Sequence, residues 1–371
     1  MENKLLYDTN EKPPLMQMII LAFQHVFAMF GATVLVPILV NEAAGYEVIP
    51  ISTALLACGI GTLLYILCTK GKSPVFLGNS FSYITPIVLA YTKGGISGFA
   101  TGIITVGLIY IIVSFIIKYA GKGWIDKLLP PVVIGPMIMI IGLSLAPNAI
   151  KQIGLTGTIF VWQTTLIALV SFVVTIIVAV YSKGFFKLIP FLIGILSGYI
   201  LSIILGIVDF TPITNAQVLS LPRILLPFKD YTFNLTGLIV IAPIALVSIT
   251  EHVGDHMALS SIIGKNLIKD PGLDRTMLGD GVATTVAGLI GGPANTTYGE
   301  NTSVVGMSKV ASVWVIGLAA TIAIIMSFIG IVPAVLSTIP SPVFGGVSMI
   351  LYGFISINGL KVLIRSEEAH V

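Results

Sequence analysis

Long apolar runs alternate with short polar breaks along the chain, and the runs are long enough to cross about 30 Å of hydrocarbon as helices. Uncharged apolar stretches predict clear spans near residues 15–40, 51–68, 99–117, 128–147, 159–181, 188–208, 235–263, 310–332 and 343–363. Weaker stretches near 75–92, 277–291 and 296–308 bring the expected total to twelve. The polar opening from Met1 to Pro14 precedes a run too long for a signal-peptide core, without a convincing cleavage site, so that run is read as the first membrane helix.

Composition strengthens the lipid reading. Of 371 residues, 56% are hydrophobic and 9% charged, with a mean hydropathy of +1.03; soluble domains cannot bury that much apolar surface. With the N-terminus placed in the cytoplasm, every Lys and Arg falls on the cytoplasmic side except Lys93, Lys151, Arg223 and Lys229, the asymmetry expected of membrane topology. The net charge of +3 is thereby absorbed by topology, and no nucleic-acid partner is read into it. Cys58 and Cys68 share one predicted span and read as packing thiols; their spacing suits neither a metal site nor a disulfide framework, and no cofactor is expected.

The longest polar connection, Asp209 to Phe233, is placed outside and divides seven predicted spans from five. An odd number of spans before the break makes a second copy start from the opposite side of the membrane, the inverted arrangement common in secondary transporters. Weak internal similarity agrees: Gln24-His25-Val26 in the first span is echoed by Glu251-His252-Val253 in the first span after the break. Downstream of each lies a short polar stretch punctuated by Gly or Pro, Gly78 to Pro86 in one half and Pro293 to Asn301 in the other. Unwound backbone at membrane depth must find partners in protein, water or ligand, so a paired interruption marks a candidate substrate site.

Of the sixteen acidic residues, most lie in loops or tails, but Glu251, Asp255 and Glu300 do not. An ionised carboxylate within a span is costly unless it faces a cavity or a partner. Asp255 follows Glu251 by one helical turn on the same face, and His252 and His256 repeat that spacing on a neighbouring face. Carboxyls that close invite shared protons; the alternative is an internally neutralised cluster in which a histidine balances a carboxylate. Glu300 adjoins Gly299, where the missing side chain lets a ligand approach the backbone. Phe81, Tyr83 and Tyr298 add aromatic faces to the same two stretches. Carboxylate acceptors, backbone donors and flat apolar walls together suit a small planar molecule carrying N–H and C=O groups, such as a nucleobase. Gln24 and His25 read as supporting hydrogen-bonding residues. Asp280, in Gly279-Asp280-Gly281, reads as a helix N-cap at the start of a short span.

Four segments carry a family resemblance: Phe23 to Pro37, Gly78 to Pro86, Glu251-His252-Val253-Gly254 and Asn295-Thr296-Thr297-Tyr298-Gly299-Glu300-Asn301. Together they resemble the nucleobase-ascorbate transporter family, most closely its uracil permease branch, along essentially the whole chain. The resemblance implies an all-α polytopic membrane protein of fourteen segments in two inverted seven-segment repeats, with short antiparallel strands in the third and tenth segments. The first repeat would cover residues 1–208 (segments 1–7), an external linker 209–233, and an incomplete second repeat 234–371 (segments 8–12). A core domain would form from segments 1–4 and 8–11, and a gate domain from segments 5–7 and 12. The matching residues imply that Glu251 and Glu300 bind the base through their carboxylates, while the backbones at Phe81 and Gly299 add hydrogen bonds; Tyr298, through its aromatic face, is expected among the substrate-binding residues too. Asn79, Ser80 and Asn301 would support the site. Bacterial uracil members of the family couple uptake to protons across the cytoplasmic (inner) membrane and often work as homodimers.

Two departures stand out. Asp255 occupies the position where uracil permeases commonly carry a histidine, with His256 following, so the proton-coupling group is expected among Glu251, Asp255 and His256. The resemblance also calls for two further spans after Val371, which leaves a complete binding core and an incomplete gate. The expected activity is proton-coupled uracil import by alternating access; a purine or xanthine permease, or a shortened chain that binds without transporting, are the alternatives. A membrane protease centred on Asp280 and a passive channel are the competitors from other classes.

Overall fold

The computed structural model of the protein describes residues 5–121, 131–156 and 161–368. Lys4, Lys122 and Lys127 of the charge asymmetry, and the first residues of the spans expected at 128–147 and 159–181, lie outside the described residues. The chain divides into two compact units, Met1–Asp126 with Leu221–Phe328, and Lys127–Ser220 with Ile329–Val371.

The first unit opens with α1 (Leu15–Ala44) and α2 (Ile51–Cys68). The apolar run of α1 ends at Gly45, whose left-handed backbone (φ 80°) lets its N–H close onto the carbonyls of Asn41 and Glu42. The Asn41 side chain then accepts from the N–H groups of Val48 and Ile49 and donates to the carbonyl of Ile49, turning the chain into α2. Strand β1 (Leu77–Asn79) follows, then a 3-10 turn (Phe81–Tyr83) and the long α3 (Ile84–Ala120). The two spans expected at 75–92 and 99–117 share this one helical run, broken only where Gly95 takes φ 58° and ψ −156°.

After residue 221 the same unit continues with α7 (Leu235–Ile241), which runs through a 3-10 turn at Ala242–Ile244 into α8 (Ala245–Ile263). Then come α9 (Leu273–Ile290), β2 (Asn295–Thr297), α10 (Gly299–Ser308) and α11 (Val313–Ser327). The second half of the polar 209–233 stretch docks onto this unit, since Leu225 donates to the Ile290 carbonyl and Thr53 to that of Arg223. Lipid gives helices no hydrophobic reason to associate, so close approach through small residues matters more here than in a soluble core. Helices α3 and α9 touch backbone to backbone: a Cβ on Gly281 would lie 2.9 Å from the Gly107 carbonyl oxygen, and one on Gly107 2.7 Å from that of Gly281.

The second unit holds α4 (Pro131–Gln152), α5 (Trp162–Tyr181), α6 (Pro190–Ile204), α12 (Ile331–Ser337) and α13 (Ser341–Glu368). Its helices also meet at small residues; a Cβ on Gly142 of α4 would lie 2.6 Å from the Tyr352 carbonyl oxygen of α13.

Among the described residues, five helical stretches are long and apolar enough to cross a membrane: Leu15–Ala44, Ile51–Cys68, Phe81–Ala120, Trp162–Tyr181 and Leu235–Ile263. The pair α12 and α13, bent by 88°, makes a sixth if it counts as one span. Of the weaker predicted stretches, 277–291 falls within α9 and 296–308 on β2 and α10. These elements are polar because protein, not lipid, surrounds much of them: Thr276, Asp280 and Thr284 of α9 and Asn301 of α10 are all buried.

Candidate functional site

The two polar stretches singled out in the sequence meet as an antiparallel pair, Leu77 opposite Thr297, Gly78 opposite Thr296 and Asn79 opposite Asn295. Three residues make a strand about 7 Å long. Each strand feeds a helix, β1 into the turn leading to α3 and β2 through Tyr298 into α10, so two helix N-termini begin at one short ladder. First-turn N–H groups lack intrahelical acceptors and carry the positive end of the helix dipole. Glu300 sits in that first turn of α10. A Cβ on the exposed Gly299 beside it would meet nothing within 4 Å, so open space adjoins the backbone there.

Helix α8 supplies two different stripes. Glu251 and Asp255 form the half-buried one. Asp255 accepts a hydrogen bond from the Thr297 hydroxyl of β2, whereas Glu251 and Glu300 make no hydrogen bond or ion pair with another described residue. All three carboxyls are close enough to act on one another electrostatically. Ser248, His252 and His256 form the fully buried stripe. Ser248 donates to the Tyr83 hydroxyl at 2.9 Å. His256 Nδ1 lies 2.7 Å from the His252 carbonyl oxygen, which can only accept. In the neutral ring Nε2 therefore accepts from the Tyr65 hydroxyl at 2.5 Å, and that oxygen accepts from Ser73 at 2.9 Å. With both nitrogens engaged, His256 stands apart from the carboxyl stripe with which the sequence reading grouped it.

Asp280 is not the N-cap that its flanking glycines suggest. Helix α9 begins at Leu273 after Gly272, which puts Asp280 in the helix interior, fully buried, with Oδ2 2.9 Å from His252 Nδ1. The Thr276 hydroxyl donates to the Leu273 carbonyl, so its oxygen is left to accept from His252 Nε2 at 3.1 Å. Nδ1 then either donates to an Asp280 carboxylate or accepts from its carboxylic acid. The two forms differ only by a proton transfer along that bond. The other Asp280 oxygen is buried without a partner. The break at Pro271-Gly272 and the acidic Asp274 in the following turn are the sequence signals of the true helix start.

The remaining candidates hold the ladder in place. The Tyr298 ring lies over Gly78, where a Cβ would collide with it, and its hydroxyl donates to the Asn79 carbonyl at 3.0 Å. Only 3% exposed, Tyr298 braces the strands and offers no open aromatic wall; Phe81 is the half-buried aromatic of the pair. The Asn79 side chain donates to the Thr33 carbonyl and accepts from the Cys58 thiol, a role for Cys58 beyond packing. The Ser80 N–H donates to the Ala294 carbonyl, while its hydroxyl is buried and unpartnered. Asn301 Nδ2 donates to the His25 carbonyl at 3.1 Å and faces His25 Nδ1 at the same distance, tying α10 to α1. Gln24 is half-buried, without a hydrogen bond to another described residue.

A sequence model described as the permease family matches residues 16–369. The uracil permease of Bacillus caldolyticus is 44% identical over 369 residues, 98% of this chain and 84% of that protein. The uracil permease of Escherichia coli K12 is 45% identical over 364 residues, 96% and 81% of the two chains. Among solved structures, the transmembrane domain of the cyanobacterial bicarbonate transporter BicA superposes with a TM-score of 0.69 at 16% identity, covering 96% of each chain. That likeness is one of fold. The apolar helices and the permease relatives make this a multi-pass membrane protein. Near-complete coverage of the family model, joined to that identity over almost the whole length of named permeases, shows that the chain belongs to the permease family.

Proposed function

We propose that the protein is a proton-coupled symporter that imports uracil by alternating access across the bacterial cytoplasmic membrane, with its N-terminus in the cytoplasm. The observation that carries this reading is the pair of half-buried carboxyls, Glu251 and Glu300, left without a hydrogen bond to another described residue, with open backbone at Gly299 next to Glu300. Uracil is a planar ring whose edge alternates N–H and C=O groups. Carboxylate oxygens accept the N–H groups, backbone N–H groups at Phe81 and Gly299 donate to the carbonyls, and Phe81 covers a ring face. Tyr298, Asn79, Ser80, His25 and Asn301 hold the strand pair and α10 in position, with Gln24 nearby on α1.

The coupled proton is assigned to Glu251 and Asp255, and His256 keeps the α8 face docked through Tyr65. Coupling requires proton and base to favour the same state of the transporter. The first compact unit, which contains every residue named above, is taken as the core domain and the second as the gate, in an inverted seven-segment arrangement working as a homodimer. Equilibrium binding of radiolabelled uracil to the purified chain tests the site. Losing a hydrogen bond to a charged group costs about 1.5–3 kcal/mol, so Glu251→Gln and Glu300→Gln should each weaken binding by about 10–100-fold. Unchanged affinity in both would refute the assignment.

A further inference from the structure

A second site lies away from the strand pair, at the shared end of α1, α2 and α11. There a groove of about 670 Å³ runs between α2 and α11, from Lys12 and Lys70 at its mouth past Trp314 to Leu63 and Thr321. Residues 313 to 321 extend about 12 Å along a helix, so the groove follows α11 for about two turns from its start. Its walls are apolar, and two of its large side chains are open to the outside, Leu67 at 73% and Trp314 at 51% exposure.

The mouth is built by the chain. Residues 6–11 run beside 309–313: Leu6 donates to the Lys309 carbonyl, Ala311 to that of Tyr7, Val313 to that of Thr9, and the Ser312 hydroxyl to that of Glu11. This strap brings the Lys12 ammonium over the Trp314 ring, 5.2 Å from its centre. Lys70 follows α2 in a left-handed backbone conformation, φ 53°. Nearby cations are already neutralised, Lys72 by Asp270 at 2.7 Å and Lys265 by Asp8 at 2.6 Å. Lys12 and Lys70 have no carboxylate partner among the described residues. Two uncompensated cations above an apolar slot, with a tryptophan at the boundary, match a molecule with an anionic head and hydrocarbon tails.

We infer that this groove binds an anionic phospholipid, its phosphate between Lys12 and Lys70 and an acyl chain along α2 and α11. The inference is independent of the uracil site. Trp314 provides the reporter: replacing two of the three tryptophans, by Trp124→Phe and Trp162→Phe, leaves it alone in the full chain. In detergent–lipid micelles, phosphatidylglycerol with brominated acyl chains should quench Trp314 half-maximally at about tenfold lower mole fraction than brominated phosphatidylcholine. The pair Lys12→Gln and Lys70→Asn, Asn being tolerant of the left-handed backbone, should bring the two lipids together, while Lys12→Arg and Lys70→Arg should keep them apart. Gly317→Leu gives an uncharged check, because a Cβ there meets only Ile66 at 3.8 Å and Leu63 at 4.0 Å and the side chain grows into the groove; it should weaken quenching by the anionic lipid. Equal quenching by both lipids in the parent, an undiminished preference in the neutralised variant, or undiminished quenching by the anionic lipid in Gly317→Leu overturns the inference.

Discussion

Glu251 and Asp255 share a helix turn with His252 and His256, yet their surroundings give the two pairs different work. The histidines face other side chains of the unit and are saturated by Asp280, Thr276, Tyr65 and the His252 carbonyl. Asp255 is tied to the strand pair through the Thr297 hydroxyl, while Glu251, one turn before it, makes no hydrogen bond to another described residue. Breaking a buried charged or proton-sharing pair by removing one partner costs about 3–5 kcal/mol. Asp280→Ala should therefore lower the thermal unfolding temperature of the detergent-solubilised protein sharply, whereas Glu251→Gln, on a group without a hydrogen bond or ion pair to another described residue, should leave it nearly unchanged. Equal melting of the two variants would show that Asp280 is not the structural member of the set. The carboxyls proposed to bind the base stood out in the sequence because a carboxyl inside an apolar span is conspicuous. Asp280 was not, because its flanking glycines imitate a helix boundary and its partner lies on another helix.

At the scale of elements, the two glycines of the ladder should separate fold from ligand binding. A Cβ at Gly78 collides with the Tyr298 ring, so Gly78→Ala should cost about 1–3 kcal/mol through overpacking. A Cβ at Gly299 touches nothing within 4 Å, so Gly299→Ala should change stability by no more than about 0.5 kcal/mol. Any loss of uracil affinity in Gly299→Ala then reports crowding of the ligand, read by binding and melting assays on the same preparation. The strap of residues 6–11 permits a pH test outside the membrane. Burial would raise the Asp8 carboxyl, but hydrogen bonds from Lys265 and the Thr9 N–H outweigh it and hold the group below its ordinary 3.8. A carboxyl lowered by folding contributes stability above that ordinary value and loses it as pH falls through the folded value. Asp8→Asn should thus destabilise by under about 1 kcal/mol at neutral pH and converge with the parent on acidification. The pairing of the two polar stretches was foreshadowed by their matching positions, and the gap between the spans expected at 75–92 and 99–117 falls on the Gly95 kink; that one helical run continues across the gap was not visible in the hydropathy.

For the whole molecule, hydropathy reported lipid exposure better than it reported helices. Trp162–Tyr181 is apolar and largely exposed, and it stands out in the sequence; α9 and α10 are polar and packed among protein, and there the signal was weak. The division into two compact units joins segments far apart in the chain, Met1–Asp126 with Leu221–Phe328 in the unit that carries the site. Long-range pairs such as Thr33 with Tyr298 and His25 with Asn301 create that grouping, and no local pattern announces them. The central claim is that this unit binds uracil at Glu251 and Glu300 and that binding is linked to a proton. Its most direct test is accumulation of radiolabelled uracil in cells lacking their own uracil transporter and expressing this 371-residue chain, with and without a protonophore. The account predicts accumulation that the protonophore abolishes and that neither Glu251→Gln nor Glu300→Gln supports. Accumulation that persists with the proton gradient collapsed, or with both carboxyls replaced, would contradict it.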